Sequence, residues 1–465
     1  MQIYNFALKI SNILIMSKNI RLKKGLNIRL SGESEQVYSN VKASNIYEIK
    51  PTDFHSLVPK LAVKIGDNVK AGSPVFFDKY NEKIKFCSPV SGEVIEIVRG
   101  QKRRILKVVI SADNKNTYNS ISIPPLNDLT RNDVIDIMCS NGVWPFIRQK
   151  PYDIIANPTD MPKSIFISSF NTAPLSIDND FALYGKEELF QYGLDIVSRL
   201  TEGITHLNIN EYANPTKVFT KAKNVQINNI SGPHPSGNVG VQVHHIDPIN
   251  KDDVVWYLYP QDILTIALLF KEGKYDASRI IAVSGSQIKK PKYYRTIAGS
   301  TITNFIEDNL RDGNTRIISG NVLTGSKIEE NESFGFYDYQ ITAIPEGDTS
   351  EFFGWLSPGL NKFSNSRSYF SWLFPSKKYE LNANKNGEER AYVFSGEYEK
   401  VLPMDIYPTH LLKSIMVGDI EMMENLGIYE VSPEDFALCE FVCTSKIEVQ
   451  KIIREGLDLI RKENS

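Results

Sequence analysis

At 465 residues the chain is longer than one ordinary hydrophobic core organises, so three or four domains are expected. Its 42% hydrophobic, 23% charged and 11% aromatic residues describe a folded globular protein, not a disordered or fibrous one. A formal net charge of −2 gives no basis for nucleic-acid binding, no stretch nears the ~20 apolar residues of a bilayer span, and four scattered cysteines suit a reducing compartment.

Residues 1–15 read as an N-terminal extension. Lys9 interrupts their apolar run, no basic leader or small-residue cleavage site marks a signal peptide, and Met16 is an alternative start. Residues 16–120 read as a first domain. Between residues 58 and 98, Gly66-Asp67, Gly72-Ser73-Pro74 and Ser88-Pro89 punctuate short β-rich runs. This style resembles the flattened β-barrel of biotinyl and lipoyl carrier domains. Asp78-Lys79 mimics the lipoylated tip, but the segment on to Ser88-Pro89 is long for it, so the barrel is read as a docking scaffold. Lys102-Arg103-Arg104 is a solvated hairpin loop.

Residues 121–274 change period and read as an α/β, Rossmann-like domain. Thr130 N-caps a helix through Val134, Ile135 and Met138, with Asp133 in its first turn. Strands are expected at 164–169, 204–209, 225–230 and 254–259. Leu189, Phe190, Gly193, Leu194, Val197 and Leu200 form a helical stripe, and another helix begins at Asp262. Strands alternating with helices imply parallel pairing. Residues 275–328 read as a β-grasp (SLBB-like) module, with strands at 280–284, 294–297 and 315–319 and a helix at 302–309. Residues 329–465 comprise an aromatic-rich segment and a helical C-terminal domain. Ser432-Pro433-Glu434-Asp435 is a helix start, with a cap, a Pro and acids in the first turn.

Three constellations could carry chemistry. Ser231 to Gly240 (SGPHPSGNVG) is a glycine-rich loop directly after a strand, and such loops can bring N–H groups to a phosphate. It matches neither G-x-G-x-x-G nor the P-loop, and its two prolines remove donors. Gly232, His234, Gly237, Gly240 and His244 are the cofactor-binding candidates. His244 and His245, read as strand neighbours, face opposite sides and do not chelate together, so no metal site is expected. His234, His244 and His245, three of the six histidines, fall near one loop and are candidates for proton delivery to a reducible ligand, with surface or hydrogen-bonded histidines as the alternative. Phe352, Phe353, Trp355, Trp372 and Phe374, interleaved with Lys362, Arg367, Lys377 and Lys378, suit a partner or membrane boundary; plain core aromatics are the rival reading. Cys439 and Cys443, at i and i+4, are too few for a [4Fe–4S] cluster and read as buried thiols. No catalytic residue set stands out.

Three stretches carry a resemblance that spans nearly the whole chain from Met16: Ile20-Arg21-Leu22-Lys23-Lys24-Gly25-Leu26, Ser231 to Pro248 (SGPHPSGNVGVQVHHIDP), and Gly418 to Gly427 into Cys439–Lys446. The chain resembles the A subunit of the bacterial Na+-translocating NADH:quinone reductase (Na+-NQR). That resemblance implies a peripheral subunit on the cytoplasmic side of a six-subunit inner-membrane complex that passes electrons from NADH to quinone and exports Na+. It implies the other five subunits, the integral membrane ones above all, and a ubiquinone-type quinone as partners. No bound flavin or iron–sulfur cluster is expected, and the isolated chain should not oxidise NADH. The chain also looks like a distant relative of the flavin- and cluster-bearing NADH-binding subunits of respiratory complex I, with those cofactor sites lost. The rival classes are an autonomous flavin- or NADH-binding dehydrogenase and a lipoyl- or biotin-type carrier modified at Lys79.

Overall fold

The computed structural model describes residues 17–113, 115–347 and 353–464, so the extension expected at 1–15 lies outside the described residues. Before any domain closes, the leading segment lays down two short strands, β1 (Asn19–Arg21) and β2 (Glu35–Asn40), that serve distant sheets. Seven strands then build the barrel: β3 (Ile46–Ile49), β4 (Pro59–Leu61), β5 (Asn68–Val69), β6 (Pro74–Asp78), β7 (Lys85–Cys87), β8 (Gly92–Arg99) and β9 (Ile105–Ala112). They pair antiparallel as the two halves of the barrel, ordered β3-β9-β8-β5 and β4-β6-β7. Along β8, buried Gly92 and Val94 alternate with exposed Glu93 and Ile95, the period-2 signature of a strand with one dry face. Lys102 to Arg104 form the tip of the β8–β9 hairpin, as expected, and Lys79 opens the β6–β7 connection.

The second sheet is the α/β layer. It contains β10 (Arg148–Lys150), β11 (Ile154–Ile155), β12 (Ser164–Ser168), β13 (Ile204–Asn210), β14 (Gln226–Ser231) and β15 (Val255–Leu258), with β1 on one edge. The order is β1-β14-β13-β12-β15-β10-β11. The first five strands run parallel, and β10 and β11 pair antiparallel. Every residue of β12 is buried, because helices cover both faces. One cover is the pair Glu187–Val197 and Pro260–Glu272, where Gly193 permits close approach: a Cβ there would lie 2.5 Å from the Ile263 backbone. Its core is continuous with that of the barrel. The other cover is the helix Val239–Ile246 and the C-terminal helices.

Thr130 forms a full capping box with Asp133 on the helix Arg131–Ser140, as the sequence requires. Residues 239–246 depart from expectation. They form a helix, so His244 and His245 are helical neighbours and not strand neighbours. Val239, Val241 and Val243 imitate a strand's alternation, but Val239 to Val243 are all buried between sheet and C-terminal region. A segment buried all round carries no one-sided stripe to reveal its period.

The third sheet contains β16 (Ser278–Ser284), β17 (Lys292–Ile297), β18 (Thr315–Ser319), β19 (Ser326–Lys327) and β20 (Gln340–Pro345), ordered β19-β18-β20-β16-β17-β2. It draws β2 and β20 from outside residues 275–328. The helix expected at 302–309 is only Thr303–Ile306, stopped where Asp308 turns left-handed at φ 57°. The C-terminal region holds the helices Pro408–Val417, Ile420–Asn425, Ala437–Val442 and Val449–Glu463. Ser432 and Asp435 cap a 3-10 turn, Pro433–Phe436, that leads into the third of these. Cys439 and Cys443 are buried free thiols, and the Tyr398 hydroxyl donates to Cys443 Sγ at 2.9 Å. The whole is a multidomain α/β architecture.

Candidate functional site

After β12 the chain moves outward to β13 and β14, then returns to place β15 on the opposite side of β12. The loops leaving the carboxyl ends of β12 and β15 therefore diverge, and open parallel sheets bind ligands at such a switch point. A crevice of about 290 Å³ lies there. Phe170 and Asn171 follow β12 along one wall, and Tyr259 and Gln261 follow β15 along another. Gly237 and Val239 close one side, Tyr337 to Gln340 descend from the third sheet, and Glu434 reaches in from the C-terminal region. Four parts of the fold meet at one cavity.

Its floor is charged and largely dry. Arg148 Nη2 donates to Asp153 Oδ1 at 2.7 Å, and the Tyr257 hydroxyl also bonds Asp153. The guanidinium lies against the Tyr257 and Tyr337 rings, 5.1 and 4.8 Å from their centroids. Burial pushes the Asp153 carboxyl up, but Arg148 and Lys150 outweigh it and hold Asp153 below its usual value. Nearby, the Tyr339 hydroxyl bonds Asp262, whose carboxyl burial raises to about 6 against the pull of Arg279.

Glu434 is the odd member. Burial, then the negative charges of Asp435 and Asp153, push its carboxyl up to about 7. Among the described residues nothing hydrogen-bonds that carboxyl, and the Tyr259 hydroxyl likewise has no such partner. Burial and Glu434 together raise the Tyr259 phenol well above its ordinary value. A carboxyl that keeps its proton near neutrality can donate as well as accept, and a phenol held protonated donates.

The sequence candidates divide. Gly237 lines the crevice. Gly232 sits against the leading segment, where a Cβ would lie 2.7 Å from the Leu22 carbonyl oxygen, and Leu22 N–H donates to Ser231 O at 2.8 Å. His234 is buried, its Nδ1 lies 3.0 Å from Thr172 Oγ1, and burial lowers it to about 4, so it is neutral at pH 7. Gly240 falls in the first turn of the 239–246 helix, and a Cβ there would lie 2.1 Å from Asp435 Oδ2. His244 Nε2 accepts from Asp405 N–H at 3.0 Å, so Nδ1 carries the proton that faces Glu430 Oε2 at 2.5 Å. The turn that would cradle a phosphate is thus filled by protein. A carboxylate, Asp435, occupies the place beside Gly240 where helix N–H groups favour an anion. Lys150 Nζ lies 3.4 Å from that carboxylate, with both side chains almost fully buried.

Of the aromatic candidates, Phe352 lies outside the described residues and only the backbone turn around Trp355 is described. Phe353, Trp372 and Phe374 are each about half exposed, together with Phe370 and Leu373. Arg367 lies over the Trp372 ring at 5.7 Å. Arg148, Asp153, Tyr259 and Glu434 were not site candidates from the sequence, and Glu434 was noted there only as an acid in a helix start. The one signal that could have found them was the placement of Tyr257 and Tyr259 two apart at a strand end, on one face.

Three family models match in series: the NqrA N-terminal barrel-sandwich hybrid domain over residues 20–113, the NqrA second alpha/beta domain over 129–275, and the NQRA C-terminal domain over 280–330. The A subunit of the Na(+)-translocating NADH-quinone reductase of Pasteurella multocida is 36% identical over 447 residues, covering 96% of this chain and all of that one. Its counterpart in Hahella chejuensis matches at the same identity and coverage. That of Rhodopirellula baltica is 35% identical over 95% of this chain and 98% of that one. Among solved structures, an NAD+-reducing [NiFe]-hydrogenase in the air-oxidized state aligns with 72% of this chain and 63% of that one, at 9% identity and a TM-score of 0.35, too low to carry an argument.

Proposed function

This chain belongs to the NqrA family, the A subunits of the Na(+)-translocating NADH-quinone reductase, and from that membership we propose that it works as a peripheral subunit on the cytoplasmic face of the inner membrane, contributing to quinone reduction coupled to Na+ export. The observation that carries this reading is the end-to-end correspondence with the NqrA relatives, barrel through C-terminal region. No helix among the described residues is long and apolar enough to cross a membrane. Attachment would then run through integral membrane partners. The half-exposed aromatics of 353–374, with Lys and Arg between them, are the surface suited to that docking. The crevice at the carboxyl ends of β12 and β15 is our candidate place for the quinone head.

The test is affinity purification of the tagged chain from detergent-solubilised membranes of cells expressing the complex. Integral membrane subunits of the reductase should accompany it in fixed proportion, and the assembly should reduce quinone with NADH. Recovery of the chain alone, catalytically active and carrying a flavin absorbance, would replace this reading with that of an autonomous dehydrogenase. A mass increment mapped to Lys79 would establish the carrier reading instead.

A further inference from the structure

We propose that the switch-point crevice is a quinone-head site in which Glu434 is the proton donor to one ring carbonyl and Tyr259 a hydrogen-bond donor that holds the ring. This rests on the functional reading above and deepens it, by assigning a place and two roles.

Polar groups withdrawn from bulk water usually find protein partners, and Glu434 and Tyr259, both half-buried on the crevice wall, have none among the described residues. Around this crevice most polar side chains are already engaged. Arg148 and Tyr257 bond Asp153, Tyr339 bonds Asp262, and both ends of the Gln261 amide bond Ile280. The Glu434 carboxyl, the Tyr259 hydroxyl and the Asn179 amide are left over among the described residues, on the wall of a cavity at the carboxyl ends of parallel strands. A ligand that accepts from the first two would complete the site.

Size and lining choose the ligand. About 290 Å³ lies just below the ~300–1,000 Å³ usual for ligand pockets, suited to one substituted ring and not to a dinucleotide. The crevice surface is more polar than apolar, with Phe170, Val239, Tyr259 and Tyr339 supplying flat or apolar wall between the polar groups. The anion place beside the glycine turn is taken by Asp435, which disfavours a phosphate-bearing ligand. A neutral ring with carbonyl oxygens fits all three conditions.

The chemistry balances. Quinone reduction needs two electrons, which NADH supplies through the assembled complex, and two protons. Glu434 gives its proton to one carbonyl oxygen as that oxygen gains charge, forming O–H and leaving a carboxylate. Solvent at the crevice mouth returns the proton to Glu434 and supplies the second one to the ring. The charges facing Glu434 are Asp435 on its own turn, Asp153, Arg148 and Lys150 from the β10 region, and the Tyr259 phenol; Asp338 stands on the wall from the third sheet. The carboxyl is protonated below about pH 7, so donor competence is present at lower pH and lost as pH rises through that value.

The experiment uses the whole purified complex with a short-chain ubiquinone analogue as the probe. Glu434→Gln keeps shape and a hydrogen-bond donor but cannot give a proton. It should bind the probe within about threefold of wild type, turn over at least tenfold more slowly, and lose the fall in rate between pH 6 and pH 8. Tyr259→Phe should raise KM for the probe about tenfold and leave that pH profile in place. A merely structural role would shift thermal stability and leave the pH profile alone. Wild-type kinetics and pH profile in both variants, in a complex that assembles normally, would overturn the crevice assignment. Failure of the wild-type chain to co-purify with membrane subunits would instead overturn the reading on which it rests.

Discussion

Two buried imidazoles, His206 and His234, are held down to about 4 from 6.5 by burial. The unfolded chain takes up these protons below pH ~6.5, while the folded chain refuses them until about pH 4. Each histidine therefore withdraws stability as pH falls through that window, by ~1.4 kcal/mol per pKa unit. His206→Gln should lose about 2–3 kcal/mol less than the native chain between pH 6.5 and 4.5 in urea titrations, and parallel stability curves would contradict this. The Lys150–Asp435 pair gives a second expectation. Removing one member of a buried pair strands the other's charge, at a cost of about 3–5 kcal/mol. Lys150→Met should lower the urea midpoint accordingly, and adding Asp435→Asn should recover part of the loss. Sequence marked Asp435 as a capping acid and could say no more, because Lys150 is 285 residues away. The same distance hides the crevice. Its members come from β10, the ends of β12 and β15, the third sheet and residue 434, and only folding makes them neighbours.

Regular elements were far more legible than the site. The parallel strands, the helix at 187–197 and the capped helix at 131–140 each carry a local signal, whether a period, a cap or a turn, that packing then reinforced. Thr130→Ala tests one such signal. It removes the side chain that accepts from Asp133 N–H and should cost about 1 kcal/mol, visible as a lower thermal midpoint without change in fold. An unaltered midpoint would show the cap to be redundant here. The helix 239–246 was illegible for a physical reason. Its first five residues are all buried and three of them are valines, so its local preference points to a strand while tertiary packing holds it helical. The glycine turn before it was visible, but its occupant was not. Glycines at 232 and 240 make room for Leu22 and Asp435, not for a ligand.

At the scale of the molecule, the aromatic segment and the threaded N-terminus matter most. Side chains half exposed in the isolated protein contribute little to its own stability. Trp372→Ala with Phe374→Ala should therefore cut recovery of membrane subunits severalfold while leaving thermal unfolding of the free chain nearly unchanged; undiminished recovery would exclude this face as the dock. The leading strands tell a different story. β1 pairs with residues 229–231, and β2 lies beside β17 in a sheet whose central strand ends at Pro345. A ribosome delivers both strands long before those mates exist. The barrel that follows them can close early, while β1 waits through about two hundred further residues of translation and β2 through about two hundred and fifty. Nascent chains halted short of residue 345 should accordingly carry sticky, unmated edges, which makes the protein a natural client for holding chaperones during its own synthesis.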